Sequence, residues 1–120
     1  MRIPLLIAIA CCGCTAFTPV AMTSATGELI LSHPGASRVQ LVSDWNNWGG
    51  MEGPIERVDS EIGRMTVSEY GNWVLAIPAN LPRGRYRYAF LVDGHRLIPD
   101  PMNPERATWN GHEVSVLVVR

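Results

Sequence analysis

Residues 85–92, Arg-Tyr-Arg-Tyr-Ala-Phe-Leu-Val, run directly into Asp93-Gly94 and constrain the fold more than any other stretch. Side chains alternate across an extended strand, so Tyr86, Tyr88, Phe90 and Val92 share one face and Arg85, Arg87, Ala89 and Leu91 the other. By bulk the aromatic set is the inward one, and its tyrosine hydroxyls need partners once buried. Asp-Gly closes a hairpin, because both residues accept positive φ, and His95–Ile98 is expected to pair back. No stretch sustains the period of an amphipathic helix.

The rest of the chain reads as short strands between turns. Glu28–Ser32 is the first strand candidate, and His33-Pro34-Gly35-Ala36 is a turn, since proline presets φ and glycine supplies positive φ. Arg38–Val42 follows, with Val39 and Leu41 on one face; Asn46–Pro54, containing Gly49, Gly50 and Gly53, is a loop. Ile55–Val58 and Gly63–Val67 are weak strands joined by Asp59–Ile62, Trp73–Ile77 is a stronger one, and Leu81–Gly84 is a turn. Asp100–Gly111 reads as irregular, because Pro101 and Pro104 interrupt ladders, and Val114–Val119 is the closing strand. These signals predict an all-β sandwich of about seven short strands, with Trp73, Tyr88 and Phe90 in its core.

The first ten residues carry one positive charge, Arg2, and then an apolar run too short to span a bilayer as a helix. Such a run fits the leader of an exported protein. All three cysteines, Cys11, Cys12 and Cys14, follow it directly, so no disulfide framework is expected in the folded part. Cys11-x-x-Cys14 lacks the strand–helix context of redox chemistry and any second Cys/His pair for zinc. The placement resembles a bacterial lipoprotein leader, which implies lipidation at Cys14 or Cys11 after Gly13 or Ala10. Export with cleavage near Pro19-Val20-Ala21 and a retained N-terminal anchor are the alternatives, and each places the domain outside the cytoplasm. The expected division is a signal segment at 1–14, a flexible tether rich in Thr, Ser, Ala, Pro and Gly at 15–27, and the sandwich at 28–120.

With ten arginines, no lysine and eleven acidic residues, the formal net charge is −1. Nothing in that balance favours nucleic acid. Arg83, Arg85 and Arg87 form one local basic stripe, with a solvated strand face as the simpler reading.

Four segments occur in order across residues 28–120: Val42-Ser-Asp-Trp-Asn-Asn-Trp48, Asn80-Leu-Pro-Arg-Gly-Arg-Tyr-Arg-Tyr-Ala-Phe-Leu-Val-Asp-Gly94, Asp100-Pro-Met-Asn-Pro104 and Gly111-His-Glu-Val-Ser-Val-Leu-Val-Val119. Together they resemble the glycogen-binding domain of AMP-activated kinase β subunits and the isoamylase N-terminal domain of α-glucan branching and debranching enzymes. The resemblance implies an early-set, immunoglobulin-like β-sandwich. Such domains are non-catalytic, and they bind α-glucans or pack beside a catalytic barrel. It also implies that Trp48 stacks on a glucose ring. The lysine of the family's sugar site falls at Ala89, its second stacking tryptophan near Arg96, and its last polar set near Asn110, His112 and Val114, so Trp48 is the one ring-stacking residue that matches.

Chemically, a sugar offers apolar C–H faces and a rim of hydroxyls, which suits an aromatic plane flanked by convergent polar groups. Trp48 supplies a plane, and Asn46 and Asn47 supply amides that both donate and accept. The competing reading is that the asparagines shape a turn and Trp48 covers the sandwich edge. Trp45 is expected to pack inward. Trp109 lies in Thr-Trp-Asn-Gly-His, a setting less readily explained as core. Trp109, Asn110 and His112 can stand in for the missing contacts, and Arg96 can stack on or donate to a sugar. Packing of Trp109 over the sandwich end is the alternative.

Glycoside hydrolysis requires two facing carboxylates, and no sequence feature pairs Asp44, Glu52, Asp93 or Asp100. Ser115 and His112 carry no nucleophile motif, and His33, His95 and His112 show no metal spacing. The expectation is therefore a carbohydrate-binding module without enzymatic activity, metal or cofactor. Its partners are a glycan and, through an N-terminal lipid, the bacterial envelope membrane. The alternative is an envelope protein-interaction or structural module that has lost the sugar site.

Overall fold

The computed structural model of the protein describes residues 27–51 and 55–120. The expected signal segment, the expected tether apart from Gly27, and the cysteines at 11, 12 and 14 lie outside the described residues. Eight strands are present among those described: β1 Glu28–Leu31, β2 Val39–Ser43, β3 Thr66–Val67, β4 Trp73–Ala76, β5 Gly84–Val92, β6 Arg96–Ile98, β7 Arg106–Trp109 and β8 His112–Val119. They form two antiparallel sheets. One is three-stranded in the order β1-β4-β3; the other runs β2-β5-β8-β7, with β6 added beside β5. This is the expected immunoglobulin-like, early-set sandwich.

Strand β5 is its axis. It pairs with β2 from Val39↔Val92 to Ser43↔Tyr88, and on its other edge with β8 over its first half and β6 over its second. Its aromatic face lies between the sheets: Tyr88, Phe90 and Val92 pack with Leu29, Leu31, Val39, Leu41, Met65, Trp73 and Leu117. Trp45 packs inward as expected, edge-on to Tyr86 at 5.9 Å and tilted against Tyr88 at 6.4 Å. The buried hydroxyls find partners. Tyr88 donates to Asp100 Oδ2 at 2.7 Å, and Asn103 Nδ2 donates to Tyr88 Oη at 3.1 Å and to the Val116 carbonyl at 2.7 Å. Ser115 Oγ accepts from the Asp100 amide at 2.7 Å. The Asp100-Pro-Met-Asn segment is thus a polar plug whose groups satisfy one another inside the sandwich. Burial pushes the Tyr88 phenol far above its ordinary value, and the neighbouring Asp100 charge adds to that shift.

The open edge of β2 is covered by residues 59–65. Leu41 N donates to Gly63 O at 2.7 Å, Met65 N to Val39 O at 2.9 Å, and the buried Gln40 amide to the carbonyls of Asp59 and Ile62. Gly63 is required there: a Cβ at that position falls 1.9 Å from the Leu41 carbonyl oxygen. A covered edge has no free ladder to offer another chain.

Four sequence expectations change. Residues 55–57 form a 3-10 turn rather than a strand, and only Thr66–Val67 of the segment 63–67 joins a sheet. Residues 106–109, expected to be irregular, form strand β7, which pairs with β8 from Arg106↔Ser115 to Trp109↔His112. The intervening Asn110-Gly111 has φ of 50° and 82°, the two positive values of a tight type I′ hairpin turn, so the prolines stop short of this ladder. The non-aromatic face of β5 is also buried in its second half, where Ala89 and Leu91 are inaccessible to solvent.

Candidate functional site

The outer face of the five-stranded sheet carries a second apolar cluster: Val42 from β2, Ala89 and Leu91 from β5, and Val114 from β8, with Trp48 and Met51 laid over them. Leu97, Ala107 and Trp109 close its sides. The segment that delivers Trp48 has unusual backbone. Asn47, Trp48, Gly49 and Gly50 have φ of 56°, 53°, 67° and 86°, four successive left-handed residues. Left-handed geometry costs an L-residue about 1–2 kcal/mol, and a bulky one is rare there. Two features hold it. Asn46 commits its amide oxygen and one N–H to the loop, accepting from the Ser43 and Gly49 amides at 2.9 and 3.3 Å and donating to the Leu41 carbonyl at 2.8 Å. Gly49 fits where any Cβ would meet Val58 and Val42 at 2.9 and 3.0 Å.

The turn sets the indole of Trp48 flat against that of Trp109, with ring centroids 4.2 Å apart and planes 10° from parallel. Trp48 is 5% exposed and Trp109 is half-buried. His112 faces Trp109 across the hairpin, its ring 6.4 Å away and inclined by 25°. The resulting row, Trp48–Trp109–His112, joins a loop, a strand end and the start of β8 on one side of the sheet.

Charge fixes the row from beneath. Asp44 Oδ1 accepts from Trp48 Nε1 and from Arg87 Nη2, each at 3.1 Å; Oδ2 accepts from the Arg87 amide at 2.7 Å and Arg87 Nε at 3.2 Å. Arg87 then reaches across β8 to donate from Nη1 to the Thr108 carbonyl at 3.0 Å, the peptide next to Trp109. Partial burial pushes the Asp44 carboxyl up, but the hydrogen bonds from Arg87 and Trp48 and the guanidinium charge outweigh it and hold the group below its usual 3.8. Of the arginine stripe, Arg87 is thus committed to Asp44, and Arg85 forms an ion pair with Glu105.

The structure therefore brings together Trp48, Trp109 and His112. Asn46 and exposed Asn47 lie on the loop that carries Trp48, and Asn110 occupies the hairpin turn beside Trp109. Arg96 is elsewhere. It starts β6 opposite Val92, meets His33 Nε2 at 3.0 Å, and leaves Leu97, the next residue, to face the tryptophan cluster. Sequence reasoning missed the parts played by Asp44 and Arg87. The available signal was parity: Arg87 shares a strand face with Ala89, where small size makes room beneath the cluster. Among the described residues no group of three or more His, Cys, Asp or Glu side chains is placed to hold a metal ion.

No protein-family model matches the chain. It is similar to the 1,4-alpha-glucan branching enzyme of Bacillus caldolyticus, 29% identical over 65 residues, which are 54% of this chain and 8% of that enzyme. It is also similar to the 1,4-alpha-glucan branching enzyme of Deinococcus radiodurans, 33% identical over 55 residues, 46% of this chain and 6% of that enzyme. The chain thus matches less than a tenth of the length of either relative. Sandwich fold and distant similarity together support a carbohydrate-binding-module type of domain in general.

Proposed function

We propose that this protein is a non-catalytic carbohydrate-binding module for an α-glucan, displayed outside the cytoplasm on a lipid attached at Cys14 or Cys11. The observation that carries the glycan reading is the Trp48–Trp109–His112 row on the outer face of the five-stranded sheet. Trp109 and His112 are its solvent-facing members, and Trp48 is the base that keeps Trp109 flat. A rigid aromatic plane loses little entropy on meeting a sugar face, so it is an efficient platform. The α-glucan assignment is supported by the two branching enzymes, which are named for 1,4-alpha-glucan.

One observation favours a second reading. Trp48 is almost fully covered by the chain's own Trp109, as in a module that has given up its sugar site and serves an envelope protein partner. Titration of the purified protein with maltoheptaose and β-cyclodextrin separates the two. The glycan reading expects saturable binding that Trp109→Ala abolishes. Absence of binding up to about 10 mM, weaker than roughly −3 kcal/mol, removes the α-glucan and transfers the function to another glycan or a protein partner. The lipid is tested by the mass of the membrane-extracted protein: Cys14→Ser and Cys11→Ser identify which cysteine carries it, and an unmodified mass for the wild type removes the anchor.

A further inference from the structure

We infer that Arg87 is the residue that hydrogen-bonds a saccharide lying on Trp109, an inference that rests on the glycan reading above. An arginine side chain has five N–H donors. Three are used, Nε and one from Nη2 on Asp44 and one from Nη1 on the Thr108 carbonyl. Two therefore remain, one on each terminal nitrogen, without an acceptor among the described residues, and the side chain is 43% exposed. Asp44 is different. Its two oxygens already accept four hydrogen bonds, so its accepting capacity is filled and its charge is compensated.

Arg87 accordingly brings donors to the rim beside the tryptophan row. It matches acceptor oxygens, the hydroxyl, ring or glycosidic oxygens of a sugar, and does not reward a ligand that can only donate. The bonds to Asp44 and Thr108 hold the guanidinium plane in place before any ligand arrives, so little rotamer entropy is lost when the two free N–H groups are used. Asp44 is the positioning residue of this pair, and Arg87 the contact.

The test is maltoheptaose titration of the intact protein and of R87K, R87Q and D44N. It is read beside the far-ultraviolet circular dichroism couplet of the stacked indoles, taken as the difference from W109A. R87Q is expected to weaken binding about ten- to hundredfold, and R87K about tenfold, in each case by more than the fall in couplet amplitude accounts for. D44N, which keeps the Arg87 donors but loosens their placement, is expected to weaken binding less, about three- to tenfold. Wild-type binding that R87K and R87Q leave unchanged overturns the inference and spares the glycan reading. Affinity that falls in step with couplet amplitude across all three variants, D44N included, also overturns it, because Arg87 then acts only by holding Trp109 in place. No saturable binding by the wild type overturns both.

Discussion

The two faces of strand β5 are buried by different means. Its inner face meets the other sheet, where Tyr88, Phe90 and Val92, flanked by residues of β2 and β8, pack with β1 and β4, and the polar groups of Asp100, Asn103 and Ser115 are matched inside the protein. Its outer face meets a loop and a hairpin, held by an ion pair and by a run of left-handed backbone. Sheet-on-sheet packing needs only a regular pattern and supplies most of the stability. Loop-on-sheet packing needs particular residues at particular dihedrals, and it leaves an aromatic surface half open to solvent. The first arrangement holds the fold; the second is free to carry a ligand.

The contrast is sharpest in core truncation. Phe90→Ala removes a fully buried ring and is expected to cost about 3–5 kcal/mol, whereas Trp109→Ala, at the half-open stack, is expected to cost about 1–2 kcal/mol in urea unfolding. Equal losses would mean that the outer cluster is as structural as the core. Next in size is Tyr88→Phe, which strands Asp100 Oδ2 and one Asn103 donor in the interior, an expected loss of about 1–3 kcal/mol. A near-neutral result would show that the inner polar plug does not depend on its phenol.

Acid separates the faces in another way. The folded Asp44 carboxyl titrates below its unfolded value of 3.8, so its contribution is complete above that value and is lost as pH falls through the lower folded one. The exciton couplet of Trp48 and Trp109 is expected to fade on acidification before the near-ultraviolet signal of the inner aromatics does, and Asp44→Asn is expected to abolish that acid limb. Simultaneous loss of both signals would join the two faces into one cooperative unit. The smallest effect concerns backbone alone. Asn47→Gly, at φ 56° on the exposed side of the turn, is expected to stabilise by up to about 1 kcal/mol by relieving left-handed strain. Destabilisation instead would show that the asparagine side chain contributes to the turn.

The same contrast explains what the sequence made legible. Period-two alternation in 85–92 reveals the inner face, and Asp93-Gly94 the hairpin after it, because both follow from local backbone preference. Tyr88 and Phe90 sit where bulk and parity put them. The outer face was harder to read. Asn110-Gly111 is as strong a hairpin signal as Asp93-Gly94, but Pro101 and Pro104 masked it; the ladder begins at Arg106, after both. Nothing local in Asp-Trp-Asn-Asn-Trp-Gly-Gly announces four left-handed residues, since only Asn46 and the packing of Gly49 on Val42 and Val58 enforce them. The Asp44–Arg87 pair is equally non-local, and its two members gain meaning only when β2 is laid beside β5.

The pairing of β2 with β5 and of β1 with β4 also dictates the order in which the chain can fold. Glu28 waits for Ala76, near the middle of the domain, and β2, which meets residues 63–65 first, waits for Val92 to complete its ladder. Distant pairings of this kind close slowly, because loop entropy is lost before contacts compensate it. The two sheets therefore close only once β5 is available to join them.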